Sequence, residues 1–199
     1  MPRERFNEDH TFLPRRAYLS FDEIEKVVLA CKPLGLEKVR ITGGEPLLRP
    51  DLHELVRRLS STGVEVALTT NASLLPRQAG RLAEAGLDRV TVSLDALDPK
   101  IHSQMTDSSI PVETVLEGID AALRSGLAPV KVNCVVQRGV NETEVAPLVR
   151  RFRGTGITVR FIEYMDVGRT NGWQLGQVVP SADLLGYLQG EFDLTPVES

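Results

Sequence analysis

The sequence predicts an α/β fold of parallel βα units, of the barrel type, with five strands and helices outside. Three observations carry this. Apolar β-branched runs alternate with segments of helical period, and that alternation builds parallel sheets. Four of the runs end in polar residues: Thr42-Gly43-Gly44-Glu45, Thr69-Thr70-Asn71, Ser93-Leu94-Asp95 and Glu163-Tyr164-Met165-Asp166. A ligand site at the C-terminal ends of the strands accounts for four such endings better than turn chemistry does. The rival fold, a doubly wound open sheet, normally carries a phosphate-binding glycine loop after its first strand, and neither G-x-G-x-x-G nor G-x-x-x-x-G-K-[ST] occurs.

The elements follow in order. Residues 1–18 carry mixed charge, Pro2 and Pro14, and no period. Ser20 with Glu23 three residues later has the spacing of a capping box, opening a helix to about Lys32 that Pro33 and Gly35 end. A strand then reaches Gly43. After Arg49-Pro50-Asp51 a helix places Leu52, Leu55, Val56 and Leu59 on one face. The next strand is Val64–Asn71, followed by a helix over about 76–85 that stops at Gly86. The strand Arg89–Asp95, a helix over about 112–125 and the strand Val130–Val136 come next. A helix over about 142–153, the strand Thr158–Met165 and a helix over about 181–190 complete the chain. No linker, low-complexity tract or charge block interrupts the 199 residues, which read as one domain.

Composition narrows the function. Hydrophobic content of 42% and charged content of 25% are those of a soluble globular protein, and a net charge of −4 argues against coating a polyanion such as a nucleic acid. No apolar run approaches the roughly 20 residues that span a bilayer, and no apolar segment follows Met1-Pro2-Arg3-Glu4-Arg5 as in a signal peptide. The expected location is the cytoplasm. Cys31 and Cys134 read as buried small hydrophobes, and His10, His53 and His102 are scattered, so the chain carries no complete metal site.

The most informative stretch is Val39-Arg40-Ile41-Thr42-Gly43-Gly44-Glu45-Pro46. Two glycines at a strand tip let backbone approach a ligand with no Cβ between them, Glu45 adds an acceptor, and Pro46 fixes the exit direction. Arg40 and Lys131 each interrupt a β-branched run, a costly placement unless the charge is paired. A strand-end acid such as Glu163 could pair with either one. An anionic ligand could as well.

These segments resemble radical S-adenosylmethionine enzymes, and among them the GTP 3′,8-cyclases of molybdenum-cofactor biosynthesis. The matching residues are Arg40–Arg49, Leu68–Asn71, Val92–Ala96, Val130–Asn133, Gly139–Asn141, Arg160–Gly168 and Asn171-Gly172-Trp173. Gly-Gly-Glu-Pro indicates the superfamily; Phe161–Gly168 followed by Asn171-Gly172-Trp173 indicates the cyclases. The resemblance implies that Gly43, Gly44, Glu45, Ser93 and Met165 contact S-adenosylmethionine. It implies that Arg40, Thr69 and Lys131 contact GTP, with Arg160 a weaker candidate. No residue of this chain receives a catalytic role. An electron donor is implied, neither a nucleic acid nor a membrane is, and a homodimer stays open.

The same resemblance implies that pieces are absent. Members hold a [4Fe–4S] cluster in Cys-x-x-x-Cys-x-x-Cys, directly followed by Met-Pro, and a second cluster in a C-terminal portion. Here the chain opens on Met1-Pro2 and closes on Ser199. The expectation is therefore an incomplete TIM-type barrel whose first strand and cluster cysteines lie outside the chain, a central fragment inactive by itself. A peptide-modifying radical S-adenosylmethionine enzyme and a cluster-less nucleotide-binding pseudoenzyme are the alternatives.

Overall fold

In the computed structural model, residues 17–165 and 173–197 are described. The expectations for residues 1–16 and for Asp166–Gly172 lie outside them. Five strands form one sheet: β1 (Lys38–Ile41), β2 (Glu65–Thr70), β3 (Arg89–Ser93), β4 (Val130–Val136) and β5 (Thr158–Glu163), in the order β1-β2-β3-β4-β5. The ladders are parallel, with Arg40 opposite Ala67 and Thr69 opposite Thr91. A sequential order belongs to a β/α barrel, because a doubly wound sheet reverses direction at a switch point.

Among the described residues seven α-helices accompany the strands: α1 (Phe21–Cys31), α2 (Leu52–Ser61), α3 (Leu75–Glu84), α4 (Pro99–Thr106), α5 (Val112–Arg124), α6 (Val145–Phe152) and α7 (Ser181–Glu191). By their contacts the described residues fall into two compact units. Residues 17–93 with 113–132 make one, and 94–112 with 133–165 and 173–197 make the other.

In the first unit the apolar stripe of α2 is fully used: Leu52, Leu55, Val56 and Leu59 are buried, as are Leu75, Ala79 and Leu82 of α3. Each large apolar side chain so buried contributes roughly 1.5–3 kcal/mol. They pack against the alternate strand residues Val66, Leu68, Val90 and Val92, all at 0% exposure. The capping box of α1 forms: Glu23 N–H donates to Ser20 Oγ (3.3 Å) and Ser20 N–H donates to Glu23 Oε2 (2.8 Å). Only Val28 of α1 is buried, so Cys31 is half-buried, correcting the expectation of a buried thiol. At the N-terminal ends of the strands Glu65 bridges Lys38 (3.1 Å) and Arg89 (2.5 Å), tying β1, β2 and β3.

In the second unit two element bounds differ from expectation. The helix placed at 142–153 begins as a 3-10 turn, Glu142–Glu144, and becomes α6 only at Val145. Pro147 explains the late start: its ring clashes with the carbonyl four residues earlier, so it belongs in a first turn. Helix α4 lies where the sequence reading placed none. Asp98 caps it by accepting from the Lys100 and Ile101 N–H groups (2.8 and 3.1 Å), and Pro99 occupies its first position.

Candidate functional site

The tip of β1 is shaped by Glu45. Its Oε1 accepts from Leu47 N–H (3.0 Å) and Thr70 Oγ1 (2.7 Å), and its Oε2 accepts from Asn71 N–H (2.8 Å). The carboxylate therefore starts the 3-10 turn Pro46–Leu48 and straps it to the end of β2. Asn71 Oδ1 accepts from Ser73 N–H (3.0 Å), turning the chain toward α3. With these donors committed, what the turn leaves open is the backbone of Gly43 and Gly44. Gly43 has φ +137°, a conformation side chains resist. Gly44 has no such constraint, and a Cβ at either would meet nothing within 4 Å. Neither backbone geometry nor packing thus explains the glycine at 44. The open space beside it is the cradle a close-lying ligand would fill.

Arg40 projects from the face of β1 opposite the buried valines. Its Nη1 donates to Thr69 Oγ1 and to Thr91 Oγ1, both 3.1 Å. Two hydroxyls orient the guanidinium without neutralising it, and no carboxylate pairs with it among the described residues. Its remaining N–H donors are left for an anion. Lys131 is half-buried between Val130 and Val132, which are 1% and 0% exposed, and likewise has no ion pair among the described residues. A half-buried cation without a counter-charge is costly, and an anionic ligand offsets that cost. Glu163 spends Oε1 on Ser181 N–H and Oγ (2.6 Å each), which hold its carboxyl below the usual range.

Ser93, at the exposed end of β3, has no side-chain hydrogen-bond partner among the described residues. Arg40, Thr69, Ser93 and Lys131 share one unit with Gly43, Gly44 and Glu45. Met165 belongs to the other unit, where it is 60% exposed. Arg160, in that unit too, donates from Nε to Asn133 Oδ1 (3.0 Å). Thr91 was not singled out from the sequence. Its pairing opposite Thr69 could have revealed it, had the register been known.

Beyond the end of β3, Asp95 Oδ1 accepts from Val135 N–H (2.8 Å), and burial pushes its pKa up to about 6. Asn141, fully buried, donates from Nδ2 to the carbonyls of Asp95 (2.8 Å) and Val135 (2.9 Å) and accepts from Gln137 N–H (2.8 Å). Glu144 Oε2 accepts from Leu97 N–H (2.6 Å) and Asp98 N–H (3.0 Å). The Gly139-Val140-Asn141 segment is thus a clamp on the strand-tip loop. Burial, reinforced by Asp95 and Glu144, pushes the Cys134 thiol far up, so it stays protonated.

Comparison with known proteins identifies the family. A family model described as the radical SAM superfamily matches residues 5–152. The GTP 3′,8-cyclase of Acidothermus cellulolyticus is 48% identical over 199 residues, 99% of this chain and 55% of its own length. That of Xanthomonas axonopodis pv. citri is 49% identical over 201 residues, covering 100% of this chain and 60% of its own. The chain therefore spans little more than half the length of the curated relatives it matches. Among solved structures, SuiB of Streptococcus suis superposes with a TM-score of 0.71 at 20% identity, over 91% of this chain and 42% of its own. Coproporphyrinogen III oxidase of Escherichia coli, a radical SAM enzyme, gives 0.60 at 13% identity, over 94% of this chain and 48% of its own. These likenesses speak to the fold, a partial β/α barrel of the same kind. With the family match over residues 5–152, they place the chain in the radical SAM superfamily.

Proposed function

We propose that this chain is the S-adenosylmethionine- and GTP-binding part of a GTP 3′,8-cyclase, acting in the cytoplasm in the first committed step of molybdenum-cofactor synthesis. The carrying observation is the pairing, on one unit, of an unobstructed Gly43-Gly44 turn with two cations that lack counter-charges among the described residues, Arg40 and Lys131. The relatives' activity supports the reading.

The residues present fit S-adenosylmethionine. The Gly43-Gly44 backbone offers polar groups to its amino end, Glu45 holds that turn in place, and the Ser93 hydroxyl offers a donor and an acceptor. Met165 is assigned to its adenine by resemblance. Bound and reduced by one electron, this cofactor supplies radical chemistry. For GTP, Arg40 provides a planar fork fixed by Thr69 and Thr91, and Lys131 a point charge suited to phosphate. An iron–sulfur cluster does not fit: it needs several thiolates, and the chain has two isolated cysteines, one deeply buried. No step through a cluster is assigned to these residues.

Affinity measurements on the chain and two variants test this. Lys131→Ala is expected to weaken GTP binding about 10- to 150-fold, the usual effect of losing a charged hydrogen bond, and to leave S-adenosylmethionine binding unchanged. Gly44→Ala is expected to do the reverse, since its methyl group enters the open space beside the turn while the fold has room for it. Normal GTP affinity in Lys131→Ala, together with lost S-adenosylmethionine binding, overturns the assignment of Lys131 to the substrate.

A further inference from the structure

The first unit holds a second basic site, on the far side of the turn that Glu45 straps to the end of β2. Between the turn that leaves β1 and helix α3 lies a solvent-open cavity of about 370 Å³. Arg77 and Arg81, one turn apart on α3, line it, and among the described residues neither has an ion pair or a hydrogen bond from its side chain. Arg49 lines it too. This third guanidinium is held in place by donating to Leu19 O (2.6 Å) and by lying over the Phe21 ring (4.7 Å to its centroid). Gln78 fixes the wall between the two elements, its Nε2 donating to Leu47 O (3.1 Å). The one acidic residue on the lining is Asp51, against three arginines and His53. In a chain of net charge −4, this is a local excess of two positive charges before His53 is counted.

The floor adds donors of its own. Asp51 has φ +55° and its side chain does not cap α2, so among the described residues the N–H groups of Leu52 and His53, both residues of the cavity lining, have no partner. Two guanidiniums without an ion pair among the described residues, lining one cavity with Arg49 and the start of α2, suit a compact, multiply charged oxyanion. A neutral or cationic ligand would leave those charges unmatched.

The geometry points to a phosphate-binding site in this cavity, distinct from the strand-tip site, with Arg77 and Arg81 as its principal ligands. It takes a phosphate or diphosphate group, either free or at the end of a nucleotide. The site does not depend on the function proposed above.

Amide and arginine Nε–H NMR shifts of the chain, followed at low ionic strength during titration with inorganic pyrophosphate and separately with GTP, test this. Pyrophosphate is expected to shift Leu52, His53, Arg77 and Arg81, with affinity at least tenfold weaker in an Arg77→Gln/Arg81→Gln double variant. Both arginines are exposed, so the variant keeps its fold, checked by an unchanged melting temperature. Lys131→Ala is expected to leave these shifts intact. Shifts at the four residues with both probes identify a site for the phosphate group itself; shifts with GTP alone identify a nucleotide site. No shift there with either probe, or shifts that persist in the double variant, overturn the proposal.

Discussion

At the scale of single residues, two glycines of similar appearance in the sequence have opposite duties. A Cβ at Gly118 on α5 would lie 2.3 Å from the Ala72 carbonyl oxygen and 3.0 Å from the Ala72 Cβ. Ala72 cannot yield easily, because its φ of +63° is held by its N–H donating to Thr70 Oγ1 (3.0 Å), and Thr70 is in turn bound to Glu45. Gly118→Ala is therefore expected to cost roughly 1–3 kcal/mol in urea denaturation. Gly80→Ala, in the interior of α3 with nothing within 4 Å, is expected to be neutral or stabilising by up to about 1 kcal/mol. An equal effect in the two variants would show that helix propensity, not the contact with Ala72, governs position 118. The sequence presents both as glycines inside helical patterns; only the neighbour across the packing distinguishes them.

At the scale of elements, the loop after β3 carries a pH dependence. Asp95 accepts one N–H, from Val135, and burial raises its pKa from an ordinary 3.8 to about 6. The groups facing it are Cys134, held neutral, and beyond it Glu144. Between pH 3.8 and about 6 the folded chain holds a proton that the unfolded chain has released, so stability falls as pH rises through that window. The penalty is fully present above it. Asp95→Asn keeps an acceptor for Val135 and removes the titration. Relative to the parent it is expected to gain on the order of 2 kcal/mol at pH 7.5 compared with pH 4, by urea denaturation at the two pH values. A difference independent of pH would place the Asp95 titration elsewhere. The aspartate at a strand end was legible in the sequence. Its burial was not, because that depends on the loop that Asn141 and Glu144 clamp over it.

At the scale of the whole molecule, the chain has two thiols and both are poorly placed for iron. Cys134 is fully buried and its thiolate disfavoured, and Cys31 is half-buried on α1. Anaerobic reconstitution with iron and sulfide is expected to leave the chain without a stoichiometric cluster. A stoichiometric cluster that disappears in Cys31→Ser would overturn this.

The sequence by itself determined the five strands, their sequential βα alternation, the capping box of α1 and the Gly-Gly-Glu-Pro turn. Each follows from local chemistry: a period, a cap, a residue with no Cβ. The tertiary structure decided what depends on neighbours distant in sequence. Glu45, read as an acceptor for a ligand, turns its oxygens to Leu47, Thr70 and Asn71, which meet it only when β1 and β2 lie side by side. Arg40 acquires its orientation from Thr69 and Thr91 on two other strands. The basic cavity between Arg49 and Arg81 joins segments that no sequence spacing relates. Charges and hydrogen-bonding groups reveal their duties only once the fold has chosen their partners.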